Sequence, residues 1–432
     1  MRAPYSHFRA VLAGALLAGA ALVSAGCAAE EEQTLVVLGP WTDGEEDPFE
    51  ATLRELSKQT GRHYVYEGTR SLRETLVAQL RADAPPDVAI LNAPGDLAEY
   101  ALDGDAQPLP PDVQSKAIGP WAPPITVTDS DGNTDKNAYW VPVRVDLKSI
   151  VWSKAGEEAA GDDEAVWCLG MASGPTSGWP GTDWIEDLLL QRHGYEVYEK
   201  WATGKQPWDK GPVKEAWQDW ATVLATDDAD TRPDPLTKHF ENLGAKTYGL
   251  LNGKDCTREH QGSFIRRHYG PDVKPAPTSD FVEGLSADRK MFEVSGDMAA
   301  VFKPSPAAWD LLLKLASPRA QADWIAAADP QERPFFPSDA AGTARRGVSA
   351  PTGSSAAVLG LFSGADQICL DASDAMPPTL RGAFQRAVLE FLQKPQDTAE
   401  LDGLLGQLEK ERQLQRNAKA FVLDDLCEEP PG

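Results

Sequence analysis

The strongest constraint on this chain lies between Thr34 and Leu91, where three short apolar runs alternate with two amphipathic stretches. TLVVL (Thr34–Leu38) is continuous and rich in β-branched residues, the pattern of a strand buried on both faces. Asp47 followed by Pro48 marks a helix start, with Phe49, Leu53 and Leu56 on one face and Gly61 as the stop. HYVY (His63–Tyr66) predicts a second strand, and Ser71 with Glu74 forms a capping-box pattern before Leu72, Leu76 and Leu80. A third strand follows at Asp87–Leu91. Strand, helix, strand, helix, strand implies a parallel sheet covered on both faces. Ligands of such sheets sit beyond the carboxyl ends of the strands.

The later sequence builds different material. Proline-rich loop (PLPPDV, PWAPP) gives way to a hairpin that returns in YWVPV, then to helix-rich text between Asp183 and Leu224. QGSFI (Gln261–Ile265) reads as a strand, as does EVSGDMAAVF (Glu293–Phe302). Long helices are predicted around Trp309–Ala327 and Leu380–Leu392. Two α/β lobes with more than one chain crossing fit this order. Lobe 1 is expected over residues 34–138, with about 293–340 returning to it. Lobe 2 is expected over 139–292, with about 341–425 returning to it.

The first residues stand apart. A charged start (Arg2, Arg9), a short apolar run and SAGC describe an export leader over residues 1–26, too short to span a membrane comfortably. Cys27 after Ala25-Gly26 resembles the bacterial lipobox, which implies a lipid-anchored tether over 27–33 and an extracytoplasmic chain on the outer face of the membrane. Ser24 departs from that pattern, which prefers an aliphatic residue there. The four cysteines beyond Cys27 are even in number, as disulfides in an oxidising compartment require. Of three possible pairings, Cys168–Cys256 and Cys369–Cys427 are favoured. The formal net charge of −25 argues against nucleic acid or an anionic lipid surface as partner.

Seven segments in order carry a family resemblance: TLVVLGPWTDGEEDPFEATLRELSKQTG, PPDVAILNAPGDLAEYA, YWVPVRVDLKSIVWSK, SGWPGTDWIEDLLL, CTREHQGSFI, EVSGDMAAVF and DASDAMPPTLRGAFQRAVLEFL. Together they resemble the extracellular solute-binding proteins of sugar-importing ABC transporters, over roughly Leu35–Leu408. The resemblance implies a two-lobe periplasmic-binding-protein-like α/β fold of type II, each lobe a mainly parallel sheet flanked by helices, with a hinge between them. It implies a monomer that closes on a carbohydrate and docks on permease subunits, with ATP hydrolysis left to a separate subunit. No G-x-x-x-x-G-K-[ST] loop is present, and no cofactor is implied.

Sugars offer apolar faces to aromatic rings and rows of hydroxyls to planar polar groups. At the strand mouths the candidates are Trp41, Thr42 and Asp43, then Arg70, then Asn92. On the other lobe they are Trp179, Thr182 and Asp183 at a helix start, Gln261 and Phe264, Asp297 beside the permissive Gly296, and Asp374. Each has a structural alternative: a capping turn, a solvated arginine, a turn asparagine, a lobe-crossing cap. Phe384 is followed by Gln385 where relatives often carry tryptophan, so a maltose-type specificity does not carry over. Of 13 tryptophans, Trp201, Trp208, Trp217, Trp220 and Trp324 lie in helix-like text and read as core. An exported hydrolase is the competing class, but the chain has no G-x-S-x-G, no H-E-x-x-H and no zinc-site spacing among its histidines. The Asp129–Asp135 run partly resembles a calcium loop, yet its twelfth position is Trp140, so an acidic turn is the better reading. A ligand-sensing lipoprotein of the same fold would need the same residues.

Overall fold

The computed structural model describes residues 34–128, 134–154, 166–225, 234–253, 255–286, 288–340 and 350–430. The expected leader, Cys27 and its tether lie outside these residues, as does most of the acidic turn 129–135.

The opening alternation folds as its pattern predicts: β1 (Thr34–Gly39), α1 (Asp47–Thr60), β2 (His63–Gly68), α2 (Leu72–Arg81), β3 (Val88–Leu91) and α3 (Pro94–Asp103). β1 pairs in parallel with β2 and with β3. Leu35, Val37, Val88 and Ile90 pack in one core with Phe49, Leu53 and Leu56 of α1, while Leu38, Ala89 and Leu91 pack on the opposite face with Leu76 and Leu97. The period of two thus places a helix layer on each side. Ser71 precedes α2, but its side chain makes no capping hydrogen bond, so the expected box does not form.

A one-turn α4 (Pro111–Gln114) precedes the hairpin of β4 (Ile125–Thr128) and β5 (Thr134–Asn137), then β6 (Trp140–Leu147) and β7 (Ile150–Lys154). The second half continues with β8 (Trp167–Cys168), α5 (Trp179–His193), α6 (Tyr195–Ala202), α7 (Pro212–Ala225), β9 (Arg258–Gln261) and β10 (Val273–Ala276). β11 (Met291–Val301) then runs back to the first sheet. α8 (Pro306–Leu315), α9 (Pro318–Ala327) and α10 (Pro337–Ala340) follow; Ser317-Pro318 divides what sequence suggested as one long helix. The chain closes with α11 (Gly353–Ser363), β12 (Gln367–Leu370), α12 (Ala372–Ala375), α13 (Pro378–Phe391), α14 (Thr398–Asn417) and β13 (Cys427–Glu428).

Two local expectations are corrected. QGSFI is not a strand: β9 stops at Gln261, whose side-chain Oε1 accepts the Gly262 N–H, and Ser263–His268 turns into a 3-10 helix. The second sheet, ordered β10-β7-β9-β8, is not mainly parallel. Only β8 with β9 is parallel; β7 follows β6 too closely for a crossover, and both its neighbours run against it.

β6 and β11 connect the halves. β11 pairs with β12 at its start, with β3 at its end and with β6 from Val294–Leu147 to Ala300–Trp140. The register slips between Asp297 and Met298, opposite Pro142, which has no N–H to give a ladder. Gly296 is required here, because a Cβ would stand 2.7 Å from the Arg144 carbonyl oxygen. The five tryptophans assigned to core are buried, and both favoured disulfides are present. Cys369–Cys427 fastens β13 to β12 across 58 residues of chain. A Cys369→Ser/Cys427→Ser variant should lose about 2–4 kcal/mol in urea denaturation and gain a protease-sensitive tail. An unchanged midpoint would show that the tail adds nothing.

Candidate functional site

The loop after β1 carries Trp41 inward. Its ring packs on Phe49 at 4.9 Å, Trp324 at 5.2 Å and Tyr66 at 5.8 Å between centroids. The Tyr66 hydroxyl fixes the backbone on both sides, accepting from Trp41 N at 2.8 Å and donating to Trp41 O at 3.1 Å. The Arg144 guanidinium lies over the indole, 4.9 Å from its centroid. Trp41, 1% exposed, therefore supports an arginine instead of offering a stacking surface. Thr42 donates to Asp43, which is exposed.

Above Trp41 runs a chain of charges absent from the sequence candidates, apart from Asp297 and Arg70. Arg144 bonds Asp297 at 2.6 Å and Glu45 at 3.1 Å. Glu45 also meets Arg267, which follows β9, at 3.1 Å, and Arg267 pairs with Glu241. Arg70 approaches the same glutamate at 3.5 Å. The chain of pairs thus crosses from the first half to the second. Burial alone would raise the Glu45 carboxyl, but Arg144, Arg267 and Arg70 hold it below its ordinary value. Glu241 likewise resists burial and is held at about 2 by His268 and Arg267. For Asp297 burial outweighs Arg144, and its value is raised.

The opposing wall is aromatic. Trp179 is half-buried, with Phe240 at 4.8 Å and Phe264 at 6.0 Å; Lys148 Nζ lies 4.7 Å from its ring centroid. α5 begins at Trp179, one turn before the expected Asp183 cap, because Gly178 supplies the left-handed residue (φ 104°) and Pro180 suits the first turn. Trp179 and Asp183 then stand one turn apart on one helix face. Thr182 is buried, donating to Trp179 O at 2.9 Å and to Ser373 Oγ at 3.4 Å. Asp183 is 1% exposed, 3.6 Å from Lys148. Gln261 is buried at the end of β9, while Asn92 is exposed beyond β3. A second contact between the halves joins Asp96 of α3 to Arg381 of α13 at 2.7 Å. There Gly95 passes so close to Asp374–Met376 that a Cβ would meet the Met376 carbonyl at 2.1 Å.

Beneath Lys148 lies a buried polar cluster. Lys148 bonds Asp371 at 2.8 Å, and Glu186 accepts from Ala372 N at 2.8 Å and Ser373 N at 3.2 Å. Glu293 accepts from Tyr198 at 3.2 Å and from Ser149. Glu186, Glu293 and Asp371 each bring one oxygen to within 4.8 Å of the others, the tightest such carboxylate group among the described residues.

Residues 47–246 match the family model of bacterial extracellular solute-binding proteins. Over that stretch, a little under half of its length, the chain resembles that family. The chain is 28% identical over 326 residues to the alpha-glucosides-binding periplasmic protein AglE of Rhizobium meliloti (strain 1021), covering 68% of this chain and 70% of that one. It is 26% identical over 325 residues to the osmoprotective compounds-binding protein GgtB of Synechocystis sp., covering 67% and 74%. Among solved structures, the bacterial solute receptor AcbH shares the fold with a TM-score of 0.68 at 14% identity, over 88% of this chain and 98% of that one. The raffinose complex of RafE does so at 0.59 and 12%, over 88% and 98%. The chain has the two-lobe fold expected from sequence, which these structures share.

Of the sequence candidates, Trp179 and Phe264 stand together, and Thr182, Asp183 and Asp374 gather near Lys148. Sequence reasoning missed Glu45, Arg144, Lys148, Phe240 and Arg267. Alternation along WVPVRVDLK placed Arg144 among apolar strand positions, and a charge inside a buried strand was the available signal. A double-mutant cycle on Glu45→Gln and Arg267→Met should give a coupling of about 1–3 kcal/mol in urea denaturation. Simple additivity would show that the crossing pair carries no energy.

Proposed function

We propose that this protein captures a sugar or oligosaccharide between its halves and delivers it to the permease of an ABC importer. The supporting observation is the cluster of half-buried rings formed by Trp179, Phe240 and Phe264, with Lys148 against the tryptophan. Arg70 acts electrostatically on His239, which stacks on Phe240, so first-half and second-half groups face one another there. Rings receive a pyranose face, and paired cations and carboxylates exchange their partners for hydroxyls. The names of the relatives point the same way: alpha-glucosides for AglE, b-D-galactopyranose for AcbH, raffinose for RafE.

The protein performs no covalent step on its solute. Ligand touching both halves favours the closed form, and the closed form docks on the permease. Cys27 carries a lipid anchor that keeps the monomer at the outer face of the membrane, and Trp41, Thr42, Asp43, Asn92 and Asp297 line or support the first-half mouth.

A thermal-shift screen of the soluble chain starting after Cys27 should include α-glucosides, galactose, raffinose and chitin oligosaccharides, with amino acids and osmoprotectants as controls. One carbohydrate should raise the midpoint saturably, gaining about 2.7 kcal/mol at a hundredfold excess over Kd. Stabilisation by a non-sugar class alone would overturn the carbohydrate reading. Trp179→Ala should fold normally and weaken that carbohydrate about tenfold or more, as loss of a stacked ring does. Unchanged affinity would make Trp179 a structural corner.

A further inference from the structure

Glu186, Glu293 and Asp371 are fully buried, and Lys148 is the cation within bonding distance of the group. The oxygens are nearly all committed to protein donors. Asp371 Oδ1 accepts from Ser373 Oγ and Asp374 N, and Oδ2 accepts from Lys148. Glu293 Oε2 takes the Ser149 hydroxyl, and Oε1 lies 3.2 Å from the Tyr198 hydroxyl, whose single proton it shares with the Leu370 carbonyl at 3.0 Å. Glu186 Oε2 takes two backbone N–H groups of α12. Glu186 Oε1 alone is left without a donor, although it is buried. A metal ion needs several uncommitted oxygens. A proton needs one oxygen to sit on and one neighbouring oxygen to point at.

We propose that Glu186, Glu293 and Asp371 share protons, and that this triad is a pH-sensitive lock fastening α5, the crossing strand β11 and the start of α12. With Glu186 protonated on Oε1, the carboxyl donates toward Asp371, and Asp371 stays ionised against Lys148. The surrounding charges agree. α5 adds Asp183 and Asp187, but Asp187 is taken by His260 of β9 at 3.0 Å. The turn between β6 and β7 gives Lys148, α6 gives the Tyr198 hydroxyl, and α12 gives Asp374. Arg381 of α13 is drawn off by Asp96 of α3. The remaining excess of carboxyls is neutralised by protons.

Burial, then Asp371, pushes Glu186 up to about 8; burial and then Glu186 push Glu293 well above its ordinary value. Asp371, despite burial, is held low by Lys148. A carboxyl raised on folding contributes stability that is complete below its unfolded value of about 4.3. That contribution declines as pH rises from there and is fully lost once pH passes about 8. Ionised Glu186 then repels Asp371 and loosens the second-half anchorage of β11.

The test is the melting midpoint across a pH series from about 6 to about 9.5, for wild type and for Glu186→Gln, whose amide replaces the carboxyl O–H donor. Wild type should lose about 4 °C between pH about 6 and about 8 and level off above that, and Glu186→Gln should fall less steeply over the same interval. Parallel profiles would overturn the proposal. Infrared spectroscopy of wild type gives a second readout: a buried carboxylic-acid carbonyl band should be present at neutral pH and titrate away as pH passes about 8. Its absence would overturn the proposal even if the variant does not fold. Calorimetric titration of chelated protein with calcium, magnesium and manganese chlorides should show no binding. Saturable binding lost in Glu186→Gln would mean that a cation, not protons, holds the triad.

Discussion

Everything else in this molecule hangs on the ladder between β6 and β11. The two strands are bonded to each other along most of their length, and β11 also pairs with β12 at its start and with β3 at its end. A paired ribbon resists stretching and bends more readily, because bending alters dihedrals slightly while stretching breaks hydrogen bonds. Pro142 and the slip beside it put an irregularity in the middle of that ribbon. Bulges raise local twist and leave a residue unpaired. The joint is thus placed by covalent chemistry: Pro142, a residue without an N–H, faces Met298, and two residues before Met298 Gly296 runs so close to the Arg144 carbonyl that no side chain fits.

The ribbon also sets the charges. Arg144 and Asp297 are cross-strand partners in register, so the buried pair is positioned by backbone pairing before any side chain chooses a rotamer. Two residues farther along β6, Asp146 takes the Ser263 hydroxyl at 2.5 Å. Lys148 follows, beyond the strand's end, on the same side of the alternation. Glu293 stands on β11 at that same end of the ribbon, its carbonyl accepting the Lys148 N–H at 2.8 Å. One strand pair therefore delivers groups to the mouth and to the buried triad together, and a change in either region is felt along a shared backbone.

How much of this was legible follows from what sequence patterns encode. Period-two runs such as TLVVL and DVAIL report burial on two faces, and the layers they predict are present. The second sheet was harder, since β8 and β9 are two and four residues long and their direction is fixed by partners distant in sequence. α5 is the most instructive case. WIEDLLL suggests a helix with an acidic outer edge, yet Asp183, Glu186 and Asp187 are all buried. Their burial is made possible by Lys148, His260 and the N–H groups of α12, none of which lies within thirty residues of them along the chain except by folding. Propensity and pattern describe a residue's own neighbours; a buried acid is decided by someone else's donors.

The contacts that join the halves away from the ribbon are ionic in the two places where they are clearest, Glu45 with Arg267 and Asp96 with Arg381. That choice has a physical consequence. An apolar interface would lose about 25 cal/mol for each Å² re-exposed, and would hold the halves shut regardless of what lay between them. Charged groups recover hydration when they separate, so a pair that is well formed when closed is not heavily penalised when open. Glu45 is moreover shared among three arginines, so releasing Arg267 leaves it paired with Arg144 and Arg70 on its own side. Closure can then be decided by the difference that a bound solute makes, which is what a capture-and-release protein requires.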